Sequence, residues 1–322
     1  MKPAIVFGAA LVGLVVAGAA AASTIPPPGP PGKPPPDDEP PPSDDNMVGL
    51  GDLESHDRDG RILTAIFKGL ALPFDWRPVD CSRGEIQGTV FVSARPVTVP
   101  IRARIPEPSG PNGYGLFTPD GAEPYEPLLK AYAGGLYEGP CSVNVRHPMA
   151  DAVAEFFDAY LPTTRIGDLA FLQADARLVP QNQIPNKRMA RTHRMIAHHL
   201  AVERARAGRG GLVRDGGKDW ATSNLVDAHH AINFGWHKQG ATFKSPGGLP
   251  VLQGVSNWHD ADHVDYSQVI HLVRGDMVVA GQKRQLVDVM RDPKLCALVS
   301  DEGPIKHPRH PMLTEVQAAR RK

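Results

Sequence analysis

The sequence has few cysteines, few aromatic residues and no excess of charge of either sign. Lys and Arg together number 35, and so do Asp and Glu. The chain therefore lacks the overall basic field that would attract a nucleic acid, and we expect no nucleic-acid partner. Aromatic residues make up only 6% of the 322 residues, but hydrophobic residues reach 41%, which is enough for a packed core.

Several catalytic signatures are also missing. The chain has no G-x-S-x-G, which would place a nucleophilic serine on a sharp strand-to-helix turn. It has no H-E-x-x-H, which would place two zinc-binding histidines on one helix face. No G-x-G-x-x-G follows a strand pattern, so nothing indicates dinucleotide binding. These absences exclude the commonest sequence patterns of hydrolases and oxidoreductases.

The first 22 residues have the pattern of a secretory signal peptide. Lys2 supplies a positive start, residues from Ala4 to Ala22 carry no charge, and Ala20-x-Ala22 offers the small residues that a signal peptidase requires. The alternative is an uncleaved N-terminal anchor, because the apolar run is nearly long enough to span a bilayer. No later run of about 18 apolar residues occurs, so we expect export to the periplasm or beyond, with no membrane span after cleavage.

The composition divides the rest of the chain into four segments. Residues 23–46 are rich in Pro and Asp, which favours an extended, self-repelling linker. Residues 47–147 are predicted to be a module of strands and loops, 148–300 a His-rich α+β domain, and 301–322 a basic tail. The predicted fold class is α+β, with helices packed on an antiparallel sheet and preceded by the β/loop-rich module.

Four elements in the second half matter for the predicted site. Asn186–Ala207 has the periodicity of a long helix capped by Gly208. The segment around Asp215-Gly216-Gly217 is typical of a β-hairpin turn. His230–His237 and Val264–Val273 are the strand candidates.

Three cysteines allow at most one internal disulfide. In an exported protein cysteines can oxidise. We expect a Cys81–Cys141 bond, because both residues lie in the Gly- and Pro-rich front half, where a cross-link stabilises most. Cys296 is interpreted as a buried apolar residue of a helix.

Nine of the thirteen histidines lie between His193 and His271. Imidazole is a common metal ligand and the usual proton carrier at neutral pH. On a strand over Val264–Val273, Asp265 and His271 would share a face with His263, and a turn could bring His259 beside His263. The alternative is a solvated polar strand face with an Asp-rich turn.

Two spacings in this region resemble those of the zinc metallopeptidases of the lysostaphin, D-Ala-D-Ala-peptidase and hedgehog type. That family has S-x-H-x-x-G-x-A-x-D and a later H-x-H on a strand. Here His230 and His237 have the interval of the first and last ligands, and His259-x-x-x-His263-x-Asp265 is similar to the later element. The resemblance implies that His230, His237 and His263 hold zinc and that Asp265 or His259 activates water.

The sequence departs from the family motif at four positions. Ala228 stands in the place of the serine, Asn233 in that of the glycine, Gly235 in that of the alanine and His237 in that of the aspartate ligand. The later pair is His-x-Asp where the family has His-x-His. The resemblance covers only a small part of the chain.

The sequence thus leads to two functional hypotheses. The first is an exported zinc-dependent hydrolase, with a peptidase that acts on cell-wall peptides as its specific form, in which zinc would lower the pKa of its bound water. The second is a non-catalytic exported binding or envelope-assembly protein, in which the histidines serve only as polar residues of the sheet.

Overall fold

The computed structural model describes residues 46–52, 55–108, 125–183, 185 and 187–314. The predicted signal peptide, the predicted linker up to residue 45 and the end of the basic tail lie outside the described residues. Within the described ranges, no helix is both long and apolar enough to cross a membrane.

The described residues form six α-helices and sixteen strands, many of them short. The helices are α1 (Ser55–Phe67), α2 (Tyr125–Lys130), α3 (His147–Phe156), α4 (Thr164–Leu172), α5 (Thr192–Arg206) and α6 (Leu286–Arg291). The strands are β1 (Val48–Leu50), β2 (Trp76–Asp80), β3 (Gly88–Ser93), β4 (Thr98–Arg104), β5 (Leu136–Ser142), β6 (Ala159–Tyr160), β7 (Ala176–Arg177), β8 (Val213–Arg214), β9 (Lys218–Trp220), β10 (His230–His237), β11 (Phe243–Lys244), β12 (Pro250–Asp260), β13 (Gln268–Val269), β14 (Val273–Arg274), β15 (Asp276–Val279) and β16 (Gln282–Gln285).

The predicted α+β class is confirmed, since helices pack with sheets that are mainly antiparallel. One sheet has the order β1-β4-β5, a second has β11-β12-β10-β9-β13, and a third has β16-β15-β3-β14-β6, with β2 also paired to β3. Strands β7 and β8 form a separate parallel pair. The second sheet carries most of the candidate functional residues.

The largest core contains residues from both of the long segments that the composition suggested. Val48 and Ile101 come from the first sheet, Ile196 from α5 and Trp220 from β9, and all are buried in one cluster. Helix α5 is buried on every side from Thr192 to His199. It begins later than predicted, because Arg191 is still extended, and it ends at Ala207, which has left-handed backbone angles.

Strand β10 forms over the predicted residues, but β12 pairs with it irregularly. The register shifts between Ala231 and Asn233, and again between Asn233 and Gly235. Gly235 has φ 133° and Trp236 has φ 58°, so the backbone is left-handed at the end of the strand. These irregularities set the direction of the side chains near β9.

Two of the other predicted strand features were wrong. The segments before and after Gly216 do not pair with each other: β8 pairs with β7, whereas β9 pairs with β10 and β13. The run Val264–Val273 is not one strand, because the Asp265 side chain accepts a hydrogen bond from the backbone N–H of Ser267 and turns the chain. Only β13 and the first residue of β14 remain of it.

Candidate functional site

Strands β8 and β9 and the short loop between them bring four charged residues into the interior of the protein. Arg214, Asp215, Lys218 and Asp219 are each less than 8% exposed. Burial of a charge is costly unless a partner of opposite charge and hydrogen bonds accompany it. Each of the four has such a partner from another part of the chain or from within the loop.

The first partner of the loop is Asp265, which lies just before β13. Lys218 Nζ donates to Asp265 Oδ2 at 3.1 Å, and both side chains are almost fully buried. Asp265 Oδ1 accepts from the backbone N–H and the hydroxyl of Ser267 at 2.8 and 2.5 Å. Burial alone would raise the pKa of Asp265, but the Lys218 charge and these hydrogen bonds hold that pKa far below its usual value, so the carboxylate is ionised.

Two histidines connect this buried ion pair to the surface. His263 Nε2 lies 3.8 Å from Asp265 Oδ2, is itself buried and has no hydrogen-bond partner among the described residues, while 29% of the side chain is exposed. The His259 ring stacks on the His263 ring, with centroids 3.8 Å apart and planes at 10°. We call His259, His263, Asp265 and Lys218 the Lys218 centre.

Electrostatics keep His259 neutral at physiological pH. Its pKa is lowered to about 4, first by burial and then by electrostatic interaction with His263 and with Lys218. The ring of Trp236 lies 5.1 Å from Lys218 Nζ, which adds a cation–π contact to the buried ammonium. The Lys218 centre therefore combines an ionised carboxylate, a fixed positive charge and imidazoles that solvent can reach.

Arg214 and Asp219 form a second network on the other side of the loop. Arg214 Nη2 donates to Asp219 Oδ2 at 2.6 Å, and His271 Nδ1 lies 2.5 Å from Asp219 Oδ1. Burial favours the neutral carboxyl, but Arg214 and His271 lower the pKa of Asp219 below its usual value. Because Lys218 and Asp219 are neighbours on one strand, their side chains leave it on opposite faces and serve different networks.

Asp215 belongs to a third network, which encloses His237. The two ring nitrogens of His237 lie 2.8 Å from Asp168 Oδ1 and 3.0 Å from Asp215 Oδ1. The Phe171 ring stacks on the imidazole at 4.1 Å. Burial lowers the pKa of His237, but the hydrogen bonds and charges of the two carboxylates outweigh it and raise that pKa to about 9.

The structure does not bring the predicted zinc ligands together. His230 and His237 lie at the two ends of β10, which at about 3.3 Å per residue are roughly 23 Å apart. His230 is partly exposed and bonds to Asp227. Both ring nitrogens of His237 already bond to carboxylates, so neither is left for a metal ion. His230, His237 and His263 therefore do not fit a shared zinc ion.

The predicted catalytic residues, in contrast to the predicted zinc ligands, lie close together in the structure. Asp265 and His259 do lie close to His263, as the turn at residues 259–265 suggested. Among the residues that the structure describes, no group of three or more His, Cys, Asp or Glu side chains has the arrangement of a metal site. The position beside Asp265 Oδ2 is taken by the Lys218 ammonium.

The predicted Cys81–Cys141 disulfide is not formed in the structure. Both cysteines are free and buried, and Cys296 is free and buried as well. Cys81 packs in the core of the third sheet, whereas Cys141 packs in the large core beside the first sheet. Burial raises the pKa of Cys81 to about 11, so its thiol is protonated and inert at neutral pH.

Comparison with known proteins gave no match: no family model, no curated protein and no solved structure is similar to this chain.

The close packing of the loop against β13 yields a prediction about Gly217. A Cβ atom at this position would lie 2.6 Å from the Val269 side chain and 2.7 Å from the Ser267 carbonyl oxygen, which accepts from the Lys218 N–H. Gly217→Ala should therefore lower the free energy of unfolding by about 1–3 kcal/mol, measured by urea denaturation.

The matched control is Gly210→Ala, because a Cβ atom there meets nothing within 4 Å. This variant should stay within about 0.5 kcal/mol of the unmodified protein. Equal stability of the two variants would contradict the packing described for the loop.

Proposed function

We propose that the protein is an exported hydrolase that uses the Lys218 centre to activate water. The observation that carries the proposal is the pairing of His263 with Asp265. The buried Nε2 of His263 faces an ionised carboxylate at 3.8 Å, and part of the ring is exposed to solvent. A carboxylate beside an imidazole that solvent can partly reach is an arrangement used in general-base catalysis.

His263 is the base in this proposal. Its outer nitrogen takes a proton from a water molecule while the water oxygen attacks a carbonyl carbon of the substrate. The tetrahedral intermediate then expels its amine or alcohol, which receives the proton from His263. Asp265 stabilises the imidazolium that exists between the two transfers. The reaction consumes one water and returns the side chains to their starting state.

Lys218 and His259 support this step without exchanging protons. The buried ammonium of Lys218 provides a fixed positive charge near the carbonyl oxygen, where negative charge develops in the transition state. His259 remains neutral, because its pKa is about 4. Its ring covers one face of His263 and limits the rotation of that imidazole.

The proposed substrate is the one expected from the sequence analysis. It is an amide bond of a cell-wall peptide. Because His230, His237 and His263 do not fit a shared zinc ion, no step of this mechanism involves a metal. The alternative, a non-catalytic exported binding protein, would use the surface around His259 and His263 without turnover.

The test is an assay of purified peptidoglycan with the chain from residue 23 onward. Hydrolysis is measured as the release of new amino groups. His263→Ala should reduce the rate by at least about 100-fold, and Asp265→Asn should also reduce it. His229→Ala is the matched control, since His229 is an exposed histidine of the same region, and it should keep full activity.

Three outcomes would overturn the proposal. The first is the absence of amine release. If peptidoglycan is bound in that case, the result favours the non-catalytic alternative. The second is equal activity of His263→Ala and His229→Ala. The third is loss of activity on chelation with recovery on addition of zinc, which would return the mechanism to a metal-bound water.

A further inference from the structure

Five aromatic side chains form a continuous array in the first half of the described chain. Phe67 ends α1, Phe156 ends α3 and Phe157 follows it, while Phe74 precedes β2 and Trp76 begins it. Neighbouring rings in the order Phe67, Phe156, Phe157, Phe74 and Trp76 have centroids 5.1–5.4 Å apart. We call these residues the five-ring surface.

This array is partly open to solvent in the described part of the chain. Phe156 is 42% exposed, and Phe74, Trp76 and Phe157 are only partly buried. The chain has four Trp, six Tyr and ten Phe, so a quarter of its aromatic side chains gather here. A contiguous exposed aromatic surface marks a site of interaction.

The orientation of the rings suits a proline-rich ligand. The planes of neighbouring rings meet at 54–84°, so faces and edges alternate along the five-ring surface. Proline-rich segments dock on aromatic side chains in the polyproline II conformation, which is already fixed before binding and therefore loses little entropy.

The predicted proline-rich linker joins the domain beside this surface. β1 pairs in parallel with β4, and Val48 lies opposite Ile101, so β1 begins at the end of the sheet where β4 starts at Thr98. The Thr98 carbonyl accepts a hydrogen bond from the backbone N–H of Leu72 at 2.8 Å, and Phe74 follows two residues later. The start of β1 and the five-ring surface therefore lie at the same end of the sheet.

The last proline run of the linker, Pro40–Pro42, has the reach to contact the rings. The run ends six residues before Val48, and six residues of extended chain span up to about 20 Å. Thr98 is three residues from Ile101 along β4, which is about 10 Å from the level of Val48. About 10 Å remain beyond Thr98, enough to pass the two residues that separate its hydrogen bond from Phe74.

Two other segments outside the described residues fit the surface less well. Residues 109–124 follow β4 at its far end, away from Thr98. Residues 315–322 contain no proline and no aromatic residue. Pro40–Pro42 consists of proline alone and precedes β1 at the near end of the sheet.

We propose that the five-ring surface is an intramolecular docking site for Pro40–Pro42. The pyrrolidine rings cover the aromatic side chains, and the end of the linker is fixed to the domain instead of extending freely from β1. The surface contains none of the residues of the Lys218 centre, and the inference does not rest on the proposed function.

NMR spectroscopy of the chain from residue 23 onward tests the docking directly. Nuclear Overhauser contacts are expected, within one molecule, between the pyrrolidine protons of Pro40–Pro42 and the rings of Phe74 and Trp76. The proposal would be overturned if these rings contact a different segment, if the contacts occur only between differently labelled copies, or if no contact is seen.

A variant of the linker gives a second readout. The triple change Pro40→Gly/Pro41→Gly/Pro42→Gly removes the pyrrolidine rings and the stiffness of the run, but it leaves every described residue unchanged. The indole N–H signal of Trp76 should shift, because the covering prolines are gone.

The matched control is Pro26→Gly/Pro27→Gly/Pro28→Gly, which alters a run of the same composition at the start of the linker. It should leave the Trp76 signal in place. The indole signal of Trp258, which is 76% exposed on β12, should stay unchanged in both variants. An unshifted Trp76 signal in the first variant, or equal shifts in the two variants, would contradict docking of Pro40–Pro42.

Discussion

Replacing Lys218 with methionine should lower the free energy of unfolding by about 3–5 kcal/mol, measured by urea denaturation. Methionine has a similar length and apolar stem, so the packing changes little. What is lost is the positive partner of Asp265, and a buried carboxylate without its counter-ion carries most of its desolvation cost. Breaking one side of a buried ion pair is therefore much more harmful than losing a surface pair.

The matched control is Lys283→Met. Lys283 also pairs with an aspartate, Asp276, but its side chain is 71% exposed. Its replacement should change stability by no more than about 1 kcal/mol. The double variant Lys218→Met/Asp265→Asn should be more stable than the sum of its single changes predicts, since it removes the unpaired charge. Equal effects of Lys218→Met and Lys283→Met would show that Asp265 does not depend on Lys218.

The second large effect concerns the pH dependence that His237 gives to stability. Its folded pKa is raised to about 9, above the value of about 6.5 expected in the unfolded chain. The protonated ring therefore stabilises the fold fully below pH 6.5, and this stabilisation is lost as the pH rises through 9. The shift corresponds to about 3 kcal/mol.

Urea unfolding at pH 6, 8 and 10 would measure this effect. The stability difference between the unmodified protein and His237→Gln should be largest at pH 6 and should shrink by about 3 kcal/mol at pH 10. His230→Gln is the control, because His230 is partly exposed and bonds to a single exposed aspartate. A difference for His237→Gln that does not vary with pH would mean that the ring is not held protonated by Asp168 and Asp215.

The sequence predicts local features of this protein well. The alternating pattern of β10 identifies the strand with its correct ends, and the short spacing from His259 to Asp265 identifies a turn that gathers these side chains. Both predictions rest on patterns among residues that are near one another along the chain.

The features that the sequence does not reveal depend on distant partners. Lys218 lies 47 residues from Asp265, and His237 lies 69 residues from Asp168. The charges of Lys218 and Asp219 favour an exposed position, and a pair of glycines between charged residues is more typical of an exposed hairpin. The apolar residues that flank the loop, Leu212 and Val213 before it and Trp220 after it, are the one signal that could have suggested an interior position.

The zinc prediction depended on the same kind of missing information. His230 and His237 have the spacing of a ligand pair, but spacing cannot show that a ligand nitrogen is already bonded elsewhere. The carboxylates of Asp168 and Asp215 take both nitrogens of His237. The histidines of this region therefore divide among separate networks around one loop.

The central claim is that His259, His263, Asp265 and Lys218 form one interacting centre. An NMR pH titration of the His259 ring tests it most directly, in the unmodified protein and in Lys218→Met. We expect His259 to titrate near pH 4 in the unmodified protein and at a higher pH in the variant, because the Lys218 charge that lowers its pKa is gone. Titration near pH 6.5 in both proteins would contradict the account, since it would place His259 in solvent and away from the lysine.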